Sequence, residues 1–216
     1  MSFIQPPFWA TPTRPGVPHV FSVLVTPPVE EPLTLEDAKL RAGLDWSAGD
    51  PRDALISGFI AAARSKVEQD TGLALLTQTR DVYCDTLTTP IWLPAQSLPL
   101  QSVSSIKSTD TAGVVQTLDP GQYVTDLGSG RIGLALGGAW PSDLRPFQPF
   151  VIRIVAGWAS VALLTAQAPL LVHAVGLLTA HYATAGRDVV ALGATVERVP
   201  YGYEDAIAPH RLVVVA

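Results

Sequence analysis

The chain has 216 residues, enough for one large domain with appendages and a sizeable core. Hydrophobic residues make up 48% and charged ones only 15%, against about a quarter in ordinary soluble domains. The net charge of −5, with no basic run, argues against a nucleic-acid binder that works by neutralising phosphates.

A mean hydropathy of +0.29 requires either a membrane or extensive burial against other chains. A spanning helix needs about 20 predominantly apolar residues. The most apolar stretch, Val161 to Ala183, is broken by Gln167, Pro169, His173 and His181. The N-terminus also lacks the order of a signal peptide. The expectation is a soluble protein with no membrane partner and large protein contacts. Cys84 is the lone cysteine, so no intrachain disulfide is available and a buried, inert thiol is expected.

Residues 1–31 form a proline-rich arm, with Pro6, Pro7, Pro12, Pro15, Pro18, Pro27 and Pro28. Proline at this density prevents a helix and favours an extended path. Disordered tails are poor in aromatics, yet this one holds Phe3, Phe8, Trp9 and Phe21. These four are candidate docking residues, on another subunit or partner in preference to the chain's own domain. Thr34 reads as the N-cap of a short helix that Gly43 ends.

The main helix is expected over about 51–71. Asp50 is placed to cap it, Pro51 suits its first position, and Gly72 suits its end. Leu55, Ile56, Phe59, Ile60, Ala63 and Val67 fall on one stripe at helical spacing, with Arg64, Lys66, Glu68 and Gln69 largely off it.

Between about 75 and 156 the pattern alternates and is broken by turns. Strands are expected at Leu76–Cys84, Pro90–Leu93, Gln101–Ser108, Val114–Leu118, Tyr123–Leu127, Arg131–Ala135 and Phe150–Ala156. A second helix, about 168–185, is apolar on nearly all sides and is expected to be buried all round. Pro200 to Ala208 suits a short helix. The last residues form an apolar tail, and a free tail of that kind would aggregate. Residues 187–216 are therefore read as a docking segment, with Tyr201, Tyr203, Leu212, Val213, Val214 and Val215 as its candidate contacts. The fold class is α+β, a helical core with an inserted small antiparallel β region.

No chemistry stands out. The sequence has no phosphate-binding loop, zinc motif or nucleophile elbow. His173 and His181 lie about 80° apart beyond two full helical turns and have no carboxylate near them in sequence. No catalytic, metal or cofactor-binding residue is assigned, and no enzyme is expected. Trp92, Trp140 and Trp158 read as packing or interface anchors. The alternative is a β-rich accessory module that binds carbohydrate or protein through them, which an exposed aromatic row on one sheet face would favour.

The order of the pieces is the informative signal. It runs Pro32-Leu-Thr-Leu-Glu-Asp-Ala-Lys39, Asp53-Ala-Leu-Ile56, Ala61-Ala-Ala-Arg64, Val67-Glu-x-x-Thr-Gly72 and Leu75-Leu-Thr-Gln-Thr79. It continues with Ile91-x-Leu-Pro94, Leu98-Pro-Leu-Gln-Ser-Val103, Gly130-Arg-Ile132, Trp140-Pro141 and Val151-Ile-Arg-Ile-Val-Ala-Gly157. This succession resembles the head–tail connector, or adaptor, family of long-tailed double-stranded DNA phages and gene transfer agents. The resemblance covers about residues 32–186, the connector core. It implies a ring of identical subunits, typically a dodecamer, beneath the portal protein at the head–tail junction of a virion assembled in the bacterial cytoplasm. It implies a next connector, stopper or tail protein below the ring, and DNA passing through the lumen without sequence-specific binding. It also implies a C-terminal segment, here about Tyr201 to Ala216, that reaches the portal. Family members have no catalytic residues, so none carry over.

Overall fold

The local signals around Gly72 are obeyed closely. In a computed structural model that describes residues 20–87, 89–185 and 201–212, helix α2 spans Asp53–Thr71 and ends on Gly72 at φ 75°. That is the left-handed cap glycine supplies at no steric cost. The helix starts at Asp53 rather than Pro51. Asp50 accepts the Arg52 backbone N–H at 2.9 Å and its guanidinium at 2.8 and 2.7 Å, which closes a turn ahead of the helix.

The buried stripe of α2 is Ile56, Ile60, Ala63, Val67 and Thr71, joined by Glu68. Leu55 departs from expectation and is 58% exposed. At 100° per residue it lies about 120° from the stripe's centre. Glu68 departs the other way, and its burial is explained by the hydrogen bonds described below.

Helix α1 spans Leu35–Arg41, and Thr34 Oγ1 accepts the Asp37 N–H at 3.1 Å. Helix α3, Val161–Gln167, was not expected; Ser160 caps it by accepting the Leu163 N–H. The chain then bends by 108° into α4, Pro169–Ala185. No single helix among the described residues is long and apolar enough to cross a membrane. Helix α5 spans Tyr201–Ile207, followed by a 3-10 turn at Ala208–His210. α4 packs against α1, α2, α3 and α5. Its Leu171, Ala174, Val175 and Leu178 are fully buried, whereas Leu170 and His173 face solvent. The expectation that α4 is buried on all sides is thus corrected for the single chain.

Each strand expected in the β region is present, as β2 (Gln78–Cys84), β3 (Ile91–Trp92), β4 (Leu100–Thr109), β5 (Val115–Thr117), β6 (Tyr123–Asp126), β7 (Arg131–Leu134) and β8 (Phe150–Ala156). A further strand, β1 (Val20–Thr26), completes a five-stranded sheet of order β1-β2-β8-β4-β5; the second sheet is β3-β7-β6. All pairings are antiparallel. The register sets Val82, Ile152 and Ile106 side by side on one face, each at 0% exposure. Alternation then makes that face apolar. Ile91 and Ile132 from the small sheet share its core, together with Cys84, Leu100 and Phe150.

β1 corrects the reading of residues 1–31 as an arm. Residues 20–26 belong to the chain's own sheet, where Phe21 stacks on Tyr83 with ring centroids 5.2 Å apart.

A second core is helical. It unites Ile56, Ile60 and Val67 of α2 with Leu171, Val175 and Leu178 of α4, and with Tyr203 and Ile207 of α5. The segment after Gly72 serves both cores. Leu73, Leu75 and Leu76 pack into the helical one, and Ala74 packs into the sheet one. At the same junction Leu76 forms a bridge with Trp158, just past Gly157 at φ 103°.

Candidate assembly surface

The described side chains do not converge on a reaction centre. Among them no group of three or more His, Cys, Asp or Glu residues could hold a metal. His173 lies on the exposed side of α4, and the His181 ring sits 6.1 Å from Tyr182. Burial pushes the Cys84 thiol up to about 12, which keeps it protonated and unreactive at neutral pH. Two shallow hollows, of about 260 and 240 Å³, are walled by Val29, Leu76 and Trp158 and by Leu55, Phe59 and Tyr182. The first also holds Glu30, Thr77 and Ser160, but Thr77 Oγ1 donates to the Trp158 carbonyl and Ser160 Oγ caps α3.

Large apolar side chains are instead exposed at several places. Val23, Leu24 and Val25 are 43–45% exposed on β1, an outer strand of the large sheet. Val114 and Val115 are exposed at the opposite edge, on and beside β5. Leu40, Leu55, Leu163 and Leu170 are exposed on the helices, and Leu136 and Phe147 in loops. An edge strand with three consecutive apolar residues is a hazard for a lone protein. Opposed apolar edges suit a head-to-tail interface between copies, in which one side of each subunit meets the other side of the next.

Among the described residues most basic side chains are paired within the chain. Lys39, Arg52, Arg64, Lys66, Arg131, Arg153 and Arg211 each meet a carboxylate at 2.5–2.9 Å. Arg80 donates to Ser22, Gln78 and Gln96, and Arg145 donates to the Gln148 carbonyl. Arg41 and Lys107 are the remaining basic side chains of the described residues.

Two of these arrangements were not visible in the sequence. In the first, Lys39 reaches Asp53 at 2.5 Å while Trp46 donates its indole N–H to the same carboxylate at 2.8 Å. Arg52 lies over the Trp46 ring at 4.1 Å. Lys39, then Trp46, holds the Asp53 carboxyl below the usual range. In the second, Glu68 is 4% exposed and accepts from the Leu75 N–H at 2.8 Å, Gln78 Nε2 at 3.1 Å and Arg64 Nη1 at 2.9 Å. Arg64 also reaches Glu31 at 2.8 Å. Burial pushes the Glu68 carboxyl up, against the pull of the Leu75 N–H and Arg64. The one signal available was a glutamate one turn before the end of α2, next to the buried stripe.

Of the residues singled out for docking, Phe3, Phe8, Trp9, Val213, Val214 and Val215 lie outside the described residues. Tyr201 opens α5. Tyr203 is corrected: it is fully buried in the chain's own helical core, and its hydroxyl donates to Asp70 at 2.7 Å. Burial, then the Asp70 bond, pushes its hydroxyl far up. Leu212 packs beside Gly72 at 39% exposure. The tryptophans of the alternative reading do not share one face. Trp92 is exposed under Arg131, Trp140 packs on the sheet core, and Trp158 packs on the helical core.

No family model and no curated protein matches the chain. Solved structures do. A chain in the neck of an empty gene transfer agent (GTA) particle computed with C6 symmetry superposes at a TM-score of 0.68, with 24% identity over 92% of this chain and 97% of that one. A chain in the virion of a native GTA particle gives 0.65, with 23% identity over 90% and 97%. A chain in the neck of a native GTA particle computed with C12 symmetry gives 0.62, with 25% identity over 92% and 97%. Over nearly its whole length, then, this α+β chain shares its fold with proteins of the gene transfer agent neck and virion.

Proposed function

We propose that the chain is a structural subunit of the neck at the head–tail junction of a phage-like particle. In this reading it is a head–tail connector that forms a ring under the portal, extends the DNA channel and receives the next connector or tail protein. The observation that carries it is the end-to-end match in fold to neck chains, 92% of this chain against 97% of theirs. The C6 and C12 symmetry of those particles supports a ring of identical subunits. The opposed apolar edges at β1 and β5 support a head-to-tail contact. The internally paired arginines and lysines support a wall along which DNA passes without being held. Catalysis forms no part of the role.

Electron microscopy of the protein co-expressed with its portal tests the reading. Rings with a central hole, seated on the portal, are the expected result. Monomers that also fail to bind the portal would overturn it.

A further inference from the structure

Strand β1 and the segment at Leu212 lie on either side of the Gly72 turn, which the loop Ala95–Leu98 braces. On one side the Ala95 carbonyl accepts from Ser22 Oγ of β1 at 3.3 Å. The Gln96 N–H donates to the Gly72 carbonyl at 2.5 Å, and the Leu98 carbonyl accepts from the Ala74 N–H at 2.7 Å. On the other side the Leu212 N–H donates to the Thr71 carbonyl at 2.9 Å. Leu212 and Ala95 side-chain atoms both flank Gly72, at 3.4–3.6 Å from where a Cβ would begin.

The loop is under strain. Gln96 sits at φ 64°, a region that a side chain resists. The Gly72 carbonyl holds it there, together with Arg80, whose Nη2 donates to Gln96 Oε1 at 2.8 Å. The same guanidinium reaches Ser22 Oγ through Nε at 3.1 Å. Beside Gln96, the fully buried Ser97 hydroxyl has no hydrogen-bond partner among the described residues. A strained backbone next to an unsatisfied hydroxyl gives the loop a driving force to rearrange once a neighbour lets go.

We propose that this loop couples the C-terminal exit at Leu212 to strand β1. Leu212, bonded to Thr71 and seated on Gly72, fixes the Gly72 carbonyl that keeps the loop in its strained form, and the loop in turn holds Ser22. Drawing Leu212 away, as a partner gripping the C-terminal residues would do, lets Gln96 relax and loosens β1. By reciprocity, loosening β1 loosens Leu212. The inference concerns a single chain and stands apart from the ring reading.

Native-state hydrogen exchange on the full chain tests it. In Leu212→Ala, exchange of the Val20–Thr26 amides is expected to rise about three- to tenfold while the Phe150–Ala156 amides hold. Gln96→Gly tolerates the left-handed backbone and lacks the Arg80 contact, so in that background Leu212→Ala should no longer move β1. Ser22→Ala should speed exchange at the Leu212 amide, a readout that leaves the C-terminal contact itself unmutated. Unchanged β1 exchange in Leu212→Ala, or a rise shared equally by β8, would overturn the coupling. Persistence of the effect in Gln96→Gly would overturn the loop as its route.

Discussion

Gly157→Ala should destabilise the chain by about 3–5 kcal/mol. Two costs add. At φ 103° an alanine takes up a conformation worth about 1–3 kcal/mol of strain. Its Cβ would also stand 2.1 Å from the Leu76 carbonyl oxygen and 2.3 Å from its carbon. Overpacking of that kind costs about 1–3 kcal/mol when neighbours can shift. Here they are held: Leu76 is 3% exposed in the helical core, Thr77 N–H donates to the Trp158 carbonyl, and Gly157 N–H donates to the Pro99 carbonyl. Relief therefore means parting Leu76 from Trp158. At about 2–4 °C per kcal/mol for a chain of this size, Tm should fall by about 6–20 °C. Gly58→Ala is the control. It lies on the exposed side of α2 with nothing within 4 Å of its Cβ, so it should gain about 0.5–1 kcal/mol. Urea unfolding followed by circular dichroism gives both values. A loss under about 1 kcal/mol for Gly157→Ala, or equal losses for the two variants, would refute the steric argument.

Three further outcomes are expected. Glu68→Gln removes an acceptor from Arg64 and should cost about 1–3 kcal/mol at neutral pH. Because the folded Glu68 pKa is raised above 4.5, its proton-linked contribution is fullest below that value and is lost as pH rises through the folded pKa. The Tm gap favouring the unmutated chain should therefore widen as pH is lowered from about 6.5 to about 4, the ordinary carboxylate range; a narrowing gap would count against it. Tyr203→Phe should cost about 1–2 kcal/mol through the lost Asp70 bond. The folded hydroxyl is raised above 10.0, so that advantage is present below pH 10 and declines above it, as thermal melts in alkaline buffer would register. Finally, duplex DNA should not be retained by the chain at about 50 mM salt in a filter or shift assay, since the ion pairs leave few cations among the described residues to displace condensed counterions and the net charge is −5. Retention that falls steeply with added salt would contradict this.

Much of the fold was legible because its signals are local. Thr34 and Gly72 cap where their chemistry says they should, and the alternation of Phe150–Ala156 places β8 to the residue. What escaped depends on partners distant in sequence. The prolines of residues 1–31 masked β1, whose seven residues become a strand only by pairing with β2. Helix α3 and the 108° bend that joins it to α4 escaped because hydropathy carries no information on direction. Glu68 reads as a surface residue until Leu75 and Gln78 fold back on it. Tyr203 drew attention as a contact because it is aromatic near a terminus, and its burial against Asp70 depends on α5 returning to α2. The candidate surface was the least legible part, since opposed apolar edges exist only once β1 and β5 occupy the two ends of one sheet.

The Leu73–Leu76 segment changes what the word insertion means for this chain. In sequence the β region interrupts a helical bundle and looks removable. In space, neighbouring residues of one short run are keyed into both cores, with Ala74 in the sheet core and Leu73, Leu75 and Leu76 in the helical one. Neither core can melt without withdrawing side chains from the other, so the two form one cooperative unit. A deletion that excised the sheets and rejoined the helices would not leave a smaller folded protein. It would expose the leucines that the bundle needs and leave α2 without its far end.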